Sequence, residues 1–185
     1  MKAFLLDRDG VLVVNRPTNI KAPGEIALIP GAAEAIGRLN AAGFKVGICT
    51  NQPEIGRGVV SAADIEHVHN GLKDMVAARG GRIDLIRCCG AVAKSPRQKP
   101  AGGMLREALR AFGAAPASTW FVGDQKDDLQ AAFHAGCRGA LVKTGLGLKT
   151  LAQELPWYIL PVTVFDDLAS VAAAVLQLDR EGRRC

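Results

Sequence analysis

The stretch AFLLDRDG, residues 3–10, decides the fold, because it joins an apolar run to two carboxylates and a glycine. We interpret Ala3–Leu6 as a buried strand that ends where the charged residues begin. Burying an unpaired carboxylate costs roughly several kcal/mol or more, so Asp7 and Asp9 require a cation close by. A divalent metal held against a phosphate fits this position best.

Strand-like runs alternate with helical patterns along the chain, which is typical of a parallel α/β sheet. We predict a Rossmann-like three-layer sandwich with a mainly parallel central sheet, in one domain spanning residues 1–185. No large cap domain is expected, because residues 10–30 and 51–61 are too few to form one. The predicted strands are Ala3–Leu6, Lys45–Thr50, Leu85–Cys89, Thr119–Val122 and Ala140–Lys143, with a weaker sixth near Tyr158–Val162. The predicted helices are Ala32–Ala42, Ser61–Ala78, Met104–Phe112, Leu129–Ala135 and Leu168–Leu178.

Polar side chains cluster directly after three of the predicted strands. In open α/β sheets, ligands bind in the crevice beyond the carboxyl ends of the strands. The clusters are Asp7 with Asp9, then Thr50-Asn51-Gln52, then Asp124 with Asp127 and Asp128. We therefore expect the three clusters to converge on one site.

The acidic residues at these positions suit phosphoryl transfer. A carboxylate such as Asp7 can attack phosphorus and form an aspartyl-phosphate, provided that a cation offsets the repulsion. Mg²⁺ prefers oxygen ligands, so Asp7 and Asp124 together with the phosphate would hold it. Asp9 is the predicted general acid and base, a role that typically contributes about 10²–10⁴-fold.

Two further residues are predicted to stabilise the transferring phosphoryl group. Thr50 offers a hydroxyl at a strand end, and Lys99 offers a positive charge just before a predicted helix. Such groups offset the charge on the phosphoryl oxygens in the transition state.

This ordered set of motifs resembles the haloacid dehalogenase (HAD) superfamily of phosphatases, from about Phe4 to Thr144. It is most similar to the group of heptose 1,7-bisphosphate phosphatases and histidinol phosphatases. The matching stretches are FLLDRDG (4–10), IPG (29–31), TNQ (50–52), GRG (56–58), KP (99–100) with GM (103–104), and VGD (122–124) with DLQAA (128–132).

The resemblance implies a Mg²⁺-dependent hydrolase of carbohydrate metabolism that acts on a small phosphomonoester, a sugar phosphate or sugar bisphosphate. It also implies the roles of the site residues. These are Asp7 as nucleophile and metal ligand, Asp9 as acid–base group and metal ligand through its backbone carbonyl, Asp124 as metal ligand, Thr50 and Lys99 as phosphoryl stabilisers, and Asn51 and Gln52 beside the substrate.

One loop departs from the pattern of the heptose bisphosphate phosphatases. These usually carry a zinc loop of the form Cys-x-His followed by Cys-x-Cys-Arg-Lys-Pro. Here Ser95 and Arg97 stand where the later cysteines would be, and Gln98 replaces the substrate-recognising arginine. Four ligands for zinc cannot be assembled from the residues that remain, so no zinc is expected. The heptose substrate does not follow from the motifs alone, and histidinol phosphate or another phosphomonoester stays open.

Composition narrows the class of protein. The five cysteines, including Cys185, lack a framework spacing and are expected to be reduced. A net charge of +5 and 5% aromatic residues give no indication of nucleic-acid binding. No apolar run is long enough for a membrane helix, and residues 1–3 leave no room for a signal peptide, so a cytoplasmic protein is predicted. The oligomeric state is not indicated.

Several other residues are assigned less direct roles. Asp128 is expected to orient other groups of the site, whereas Asp127 is expected at the surface. Arg57 is more consistent with a solvated turn than with a substrate contact. His67 and His69 are predicted to be surface residues. His134 is predicted to place a favourable charge near the C-terminal end of its helix. Gly145-Leu146-Gly147 is not interpreted as a dinucleotide-binding motif.

Two rival functions are consistent with parts of the pattern. A phosphate-sensing domain of the receiver type also uses paired acids, a threonine and a lysine on a parallel sheet. Receivers place the phosphorylated aspartate at a later strand than Asp7, so the order of motifs argues against this class. A non-catalytic scaffold that keeps the fold is disfavoured, because the acids and Lys99 are intact.

Overall fold

A computed structural model describes residues 1–16 and 20–182 of the chain. Its strands are β1 (Ala3–Leu6), β2 (Lys45–Asn51), β3 (Leu85–Cys89), β4 (Trp120–Gly123), β5 (Arg138–Val142) and β6 (Thr163–Phe165). Its helices are α1 (Ala32–Ala41), α2 (Ala62–Ala77), α3 (Gly103–Phe112), α4 (Lys126–Ala135), α5 (Gly147–Leu151) and α6 (Leu168–Glu181). The strands form one sheet in the order β3–β2–β1–β4–β5–β6, and the pairings between them are parallel. The predicted Rossmann-like sandwich is confirmed.

The strand β1 lies at the centre of the sheet and is buried on both faces. Phe4 and Leu6 pack with residues of α1, α2 and α6 on one face, whereas Leu5 packs with residues of α3 and α4 on the other. Burial of each such side chain contributes about 1.5–3 kcal/mol. This continuous apolar run is what a parallel strand covered by helices on both faces requires. The acids that follow it are therefore carried by the most buried part of the fold.

The five predicted helices and the first five predicted strands each correspond to an element of the structure, whereas the sixth strand was misplaced. The sixth strand is Thr163–Phe165, and the prediction near Tyr158–Val162 was wrong. Residues Trp157–Ile159 form a 3₁₀ turn instead, and Pro161 follows with no N–H to donate to a sheet. The short helix α5 was not predicted from the sequence.

The helix α4 begins three residues earlier than its apolar pattern suggested. Gln125 is its N-cap, and the backbone N–H of Gln125 donates to Oδ2 of Asp128 at 3.0 Å. The first turn is polar, so the hydrophobic periodicity starts only at Leu129. This cap fixes the Asp128 carboxylate at the edge of the site.

The described residues between the strands and their following helices form turns and short bridges rather than a cap domain. Val13 bridges to Asp9 and Leu28, and a 3₁₀ turn covers Pro23–Glu25. Among the helices of the described residues, none is long and apolar enough to cross a bilayer. Cys49, Cys88, Cys89 and Cys137 are free thiols, as expected, whereas Cys185 lies outside the described residues.

Candidate active site

The carboxyl ends of β2, β1 and β4 lie side by side, because β1 pairs with both of the other strands. Asp7 follows β1, Thr50 lies near the end of β2, and Asp124 follows β4. Each is almost completely buried, with exposed fractions of 4%, 1% and 0%. The sheet therefore brings the three predicted clusters to one edge.

Lys99 lies between two buried carboxylates. Its Nζ is 2.8 Å from Oδ1 of Asp7 and 2.6 Å from Oδ1 of Asp128. Burial lowers the pKa of Lys99, but Asp128 and Asp7 outweigh this effect, so the pKa lies above its ordinary range. Burial raises the pKa of Asp7 to about 7, against the opposing effect of Lys99. The ammonium group is therefore permanently charged and offsets the two acids beside it.

Asp124 carries one buried carboxylate oxygen that has no hydrogen-bond partner among the described residues. Its Oδ2 accepts hydrogen bonds from the backbone N–H of Leu146 at 2.7 Å and from Nδ2 of Asn15 at 3.2 Å. Its Oδ1 is buried and has no hydrogen-bond partner. Burial raises the pKa of Asp124 to about 6. A buried carboxylate oxygen without a donor is costly, and a bound cation would satisfy it.

The oxygen atoms at this edge are spaced closely enough to share a divalent cation. One carboxylate oxygen from each of Asp7, Asp124 and Asp128 lies within 4.8 Å of the others. Mg²⁺ binds oxygen at about 2.0–2.1 Å, so ligand oxygens on opposite sides of the ion are about 4 Å apart. The donor set consists of hard oxygen ligands, and it fits Mg²⁺.

Two glycines allow the backbone to approach Asp124. Gly10 and Gly145 both have positive φ angles, of 80° and 59°, and a Cβ on either would collide with the Asp124 carboxylate. The hydroxyl of Thr144 donates to the carbonyl of Gly10 at 2.6 Å and joins the two turns. Crowding from both sides holds Asp124 in its orientation.

Asp9 lies apart from this group, in the wall of an open cavity. Its carboxylate accepts hydrogen bonds from Nε of Arg8, at 3.2 and 3.1 Å, and from Nε2 of Gln52 at 2.9 Å. The carboxylate is therefore not among the oxygens that surround the cation position. The cavity measures about 160 Å³ and is lined by Arg8, Asp9, Asn15, Arg16, Ile20, Asn51, Gln52 and Glu54.

The remaining predicted residues connect β2 to the loop that carries Lys99. Nε2 of Gln52 also donates to the hydroxyl of Thr50 at 2.9 Å. Asn51 donates to the carbonyl of Lys99 at 2.9 Å and accepts from its N–H at 3.1 Å. The peptide bond between Lys99 and Pro100 is cis. Asn51 therefore fixes the backbone of Lys99 in addition to facing the cavity.

Sequence reasoning missed several residues of this site. The prediction of His69 as a surface residue was wrong, because its exposed fraction is 8% and it contacts Arg8. In α2 it lies one residue after Val68 and three before Leu72, both buried, so the helical period could have indicated burial. Asn15 and Leu146 carried no motif, because their contacts to Asp124 arise from the tertiary fold.

Other candidates lie outside the cavity. Arg57 is exposed and pairs with Glu54 at 3.1 Å, and Asp127 is exposed, as expected. Gln98 donates to the carbonyl of Ala91 and lines a separate cavity of about 680 Å³. The loop of residues 90–103 contributes Lys99 to the site, whereas Arg16 and Ile20 line the cavity beside Asp9.

Known proteins are similar in sequence to this chain over most of its length. A family model described as HAD-hydrolase-like matches residues 96–171. The chain is 43% identical over 176 residues to the D-glycero-beta-D-manno-heptose-1,7-bisphosphate 7-phosphatase of Pseudomonas aeruginosa, which covers 94% of this chain and 97% of that protein. It is 39% identical over 178 residues to the enzyme of the same name from Pseudomonas putida, covering 95% and 100% of the two chains.

A solved structure is similar over nearly the whole chain. The D,D-heptose 1,7-bisphosphate phosphatase of B. bronchiseptica, crystallised with magnesium and phosphate, superposes with a TM-score of 0.89 at 39% identity. The superposition covers 96% of this chain and 99% of the other. The similarity thus extends over the sheet and its helices.

Proposed function

The chain belongs to the haloacid dehalogenase-like hydrolases and is a phosphatase, and we propose that Asp7 is the nucleophile that accepts the phosphoryl group. The observation that carries this proposal is the contact of Asp7 Oδ1 with Lys99 Nζ at 2.8 Å, with a carboxylate oxygen of Asp124 within 4.8 Å of one of Asp7. One oxygen of Asp7 is fixed by the buried ammonium group of Lys99. The arrangement suits a nucleophile that must approach a negatively charged ester.

In the first step, Asp7 attacks phosphorus and the bond from phosphorus to the ester oxygen breaks. Asp9 gives its proton to the departing oxygen, which leaves as an alcohol. Lys99, together with the hydroxyl of Thr50, stabilises charge on the phosphoryl oxygens. Gln52 contacts both Asp9 and Thr50 and so links the acid to the phosphoryl-binding side.

In the second step, a water molecule attacks the phosphorus of the aspartyl-phosphate. The proton of that water passes to Asp9, and the bond from phosphorus to Asp7 breaks. Inorganic phosphate is released, the Asp7 carboxylate is restored, and Asp9 is protonated for the next cycle. The reaction is therefore the hydrolysis of a phosphomonoester.

Mg²⁺ would be held by the carboxylates of Asp7 and Asp124 and by the backbone carbonyl of Asp9. When bound, it neutralises charge on the phosphate and on the two acids. Asp128 lies within the same group of oxygens, but its Oδ1 is paired with Lys99 and its Oδ2 accepts from Gln125. We assign Asp128 to the orientation of Lys99 rather than to the metal.

The substrate that the relatives favour is a heptose 1,7-bisphosphate, hydrolysed at its 7-phosphate. An open cavity beside Asp9 suits the phosphate at the end of a small sugar. Arg16 places a positive charge in that cavity. It would bind the second phosphate of the substrate, a role that the family gives to an arginine at the position of Gln98. Histidinol phosphate is the alternative substrate of the wider group.

Hydrolysis assays test the proposal. Asp7→Asn should abolish the hydrolysis of 4-nitrophenyl phosphate, and chelation by EDTA should stop the wild-type enzyme until Mg²⁺ is restored. Retained turnover by Asp7→Asn would refute the nucleophile. A panel containing heptose 1,7-bisphosphate, histidinol phosphate and simple sugar phosphates identifies the substrate by the largest kcat/KM.

We further propose that the enzyme works without zinc, as one domain, in the cytoplasm, and without a nucleic-acid or membrane partner. Arg97, which stands at a cysteine position of the zinc loop, forms an ion pair with Glu107 at 2.8 Å. Elemental analysis of the purified protein tests the absence of zinc. A stoichiometric zinc content that survives dialysis would contradict it.

A further inference from the structure

A buried arginine holds the carboxylate of Asp9. Arg8 is only 3% exposed, although arginine is seldom buried without partners. Its Nε contacts both oxygens of Asp9, and its Nη2 is 2.9 Å from Oδ2. Because the guanidinium is planar and rigid, such a contact fixes the position of a carboxylate as well as its charge.

The other end of the same guanidinium rests on a histidine from α2. Nη1 of Arg8 is 3.3 Å from Nε2 of His69, which is 8% exposed. A guanidinium has donors only, so Nε2 must accept and the ring proton belongs on Nδ1. Burial and then the charge of Arg8 lower the pKa of His69 to about 4, so the ring is neutral at physiological pH.

We propose that Arg8 and His69 are positioning residues that hold the Asp9 carboxylate in place for its proton transfers. The inference rests on the proposed function, because it takes Asp9 as the acid–base group. His69 acts through Arg8, and Arg8 acts through Asp9. This arrangement ties the helix α2 to the chemistry at the end of β1.

The first half of the reaction, formation of the aspartyl-phosphate, needs Asp9 for alkyl esters but not for aryl esters. The second half, its hydrolysis, needs Asp9 for both. An alkyl ester needs the Asp9 proton to release its alcohol, as the bond from phosphorus to oxygen breaks. 4-Nitrophenolate leaves as a stable anion and needs no proton. Hydrolysis of the aspartyl-phosphate on Asp7 needs Asp9 to accept a proton from water in both cases. An aryl ester therefore separates the first half of the reaction from the second.

Steady-state kinetics of the Mg²⁺-loaded full chain use this difference. For His69→Leu, which fills the site but cannot accept a hydrogen bond, we expect kcat for 4-nitrophenyl phosphate to fall about tenfold. We expect about 100-fold for Arg8→Lys, because a complete loss of acid–base catalysis costs about 10²–10⁴-fold. In both variants kcat/KM for this ester should stay within about twofold, because it reports only the first half of the reaction.

An alkyl phosphate such as a sugar phosphate should behave differently in the same variants. Its kcat/KM should fall together with kcat, because its alcohol cannot leave without the proton. Rapid mixing of either variant with 4-nitrophenyl phosphate should show a stoichiometric burst of 4-nitrophenolate before the slow turnover. The burst amplitude also counts the correctly folded sites.

Matched variants separate positioning from general damage. His69→Gln keeps an acceptor near the position of Nε2 and should restore kcat to within about threefold of wild type. His67→Ala changes an exposed residue of the same helix and should leave all constants unchanged. Turnover by His69→Leu that equals that of His67→Ala would overturn the proposal. An equal loss of kcat/KM for aryl and alkyl esters would also overturn it, because that result indicates a structural defect.

Failure of the proposed function gives a different result. If Asp9 is not the acid–base group, Asp9→Asn should retain full turnover of both esters, whatever the Arg8 and His69 variants do. If Asp9→Asn is inactive but the His69 variants match wild type, only the positioning role is overturned. The two failures are therefore distinguished by one additional protein.

Discussion

Replacing Lys99 by methionine is the change that tests the electrostatics of the site most severely. In the wild-type protein, Lys99 Nζ lies 2.8 Å from Asp7 and 2.6 Å from Asp128. The substitution leaves both carboxylates buried without this cation. Removal of one partner from a buried ion pair costs about 3–5 kcal/mol. The free energy of unfolding of a domain is about 5–15 kcal/mol in total. We therefore expect Lys99→Met to lose a large part of its stability in urea unfolding at neutral pH.

The same change should alter the ionisation of the nucleophile. Burial raises the pKa of Asp7 to about 7 even though Lys99 lowers it. Without the ammonium group, the pKa rises further and Asp7 is protonated at neutral pH. We expect turnover of 4-nitrophenyl phosphate to fall at least about 10²–10³-fold, the usual cost of removing one stabilising group. The remaining activity should rise with pH, because only the carboxylate attacks.

Two variants control this experiment. Lys94→Met removes an exposed lysine from the same loop and should change neither stability nor turnover. Lys99→Met combined with Asp128→Asn removes one of the two acids, so it should recover much of the stability but none of the activity. The reasoning is refuted if Lys99→Met unfolds within about 1 kcal/mol of wild type, since a surface change costs at most about 0.5 kcal/mol.

Three further predictions concern the metal and the substrate. Burial raises the pKa of Asp7 to about 7 and that of Asp124 to about 6, from an ordinary value of 3.8. Between about pH 4 and pH 7, the folded metal-free protein therefore binds more protons than the unfolded chain. Their contribution to stability is therefore lost as pH rises from about 4 to 7, and Mg²⁺ should raise Tm more at about pH 7.5 than at about pH 5. Gly10→Ala should weaken Mg²⁺ activation about 10–100-fold in a metal titration, because its methyl group meets the Asp124 carboxylate. Arg16→Ala should raise KM about tenfold for a sugar bisphosphate but not for a monophosphate, since a charged contact is worth about 1.5–3 kcal/mol.

The sequence was most informative where physical requirements are local. The apolar runs before Asp7 and before Asp124 predict strands with polar ends. A parallel sheet buries the apolar runs between its helices and brings the polar ends of the strands together at one edge. The bounds of β1 and β3 agree with the prediction residue for residue. The position of Lys99 was suggested by its motif, and its contact with Asp7 was found in the structure.

Contacts between distant segments could not be predicted. Leu146 reaches Asp124 through its backbone N–H, a group that every residue except proline carries, so no side chain indicates it. Asn15 contacts the same carboxylate from a loop without periodicity. The burial of His69 was missed because a polar side chain was read as exposed, although the helical period includes it.

The strand near the C-terminus was misplaced for a different reason. Trp157–Leu160 is apolar enough for a strand, but Pro156 and Pro161 bound it and restrict the backbone. Tyr158 packs against Phe133, with ring centroids 4.9 Å apart, instead of entering the sheet. Composition alone did not distinguish these two uses of an apolar run.

The central claim is that Asp7 carries the phosphoryl group during turnover. Acid quenching of the Asp9→Asn variant after mixing with 4-nitrophenyl phosphate, followed by peptide mass spectrometry, measures this directly. We predict a phosphoryl group on the peptide that contains Asp7, absent after the substitution Asp7→Asn. A peptide that stays unmodified during turnover, or a phosphoryl group on another residue, would contradict the mechanism.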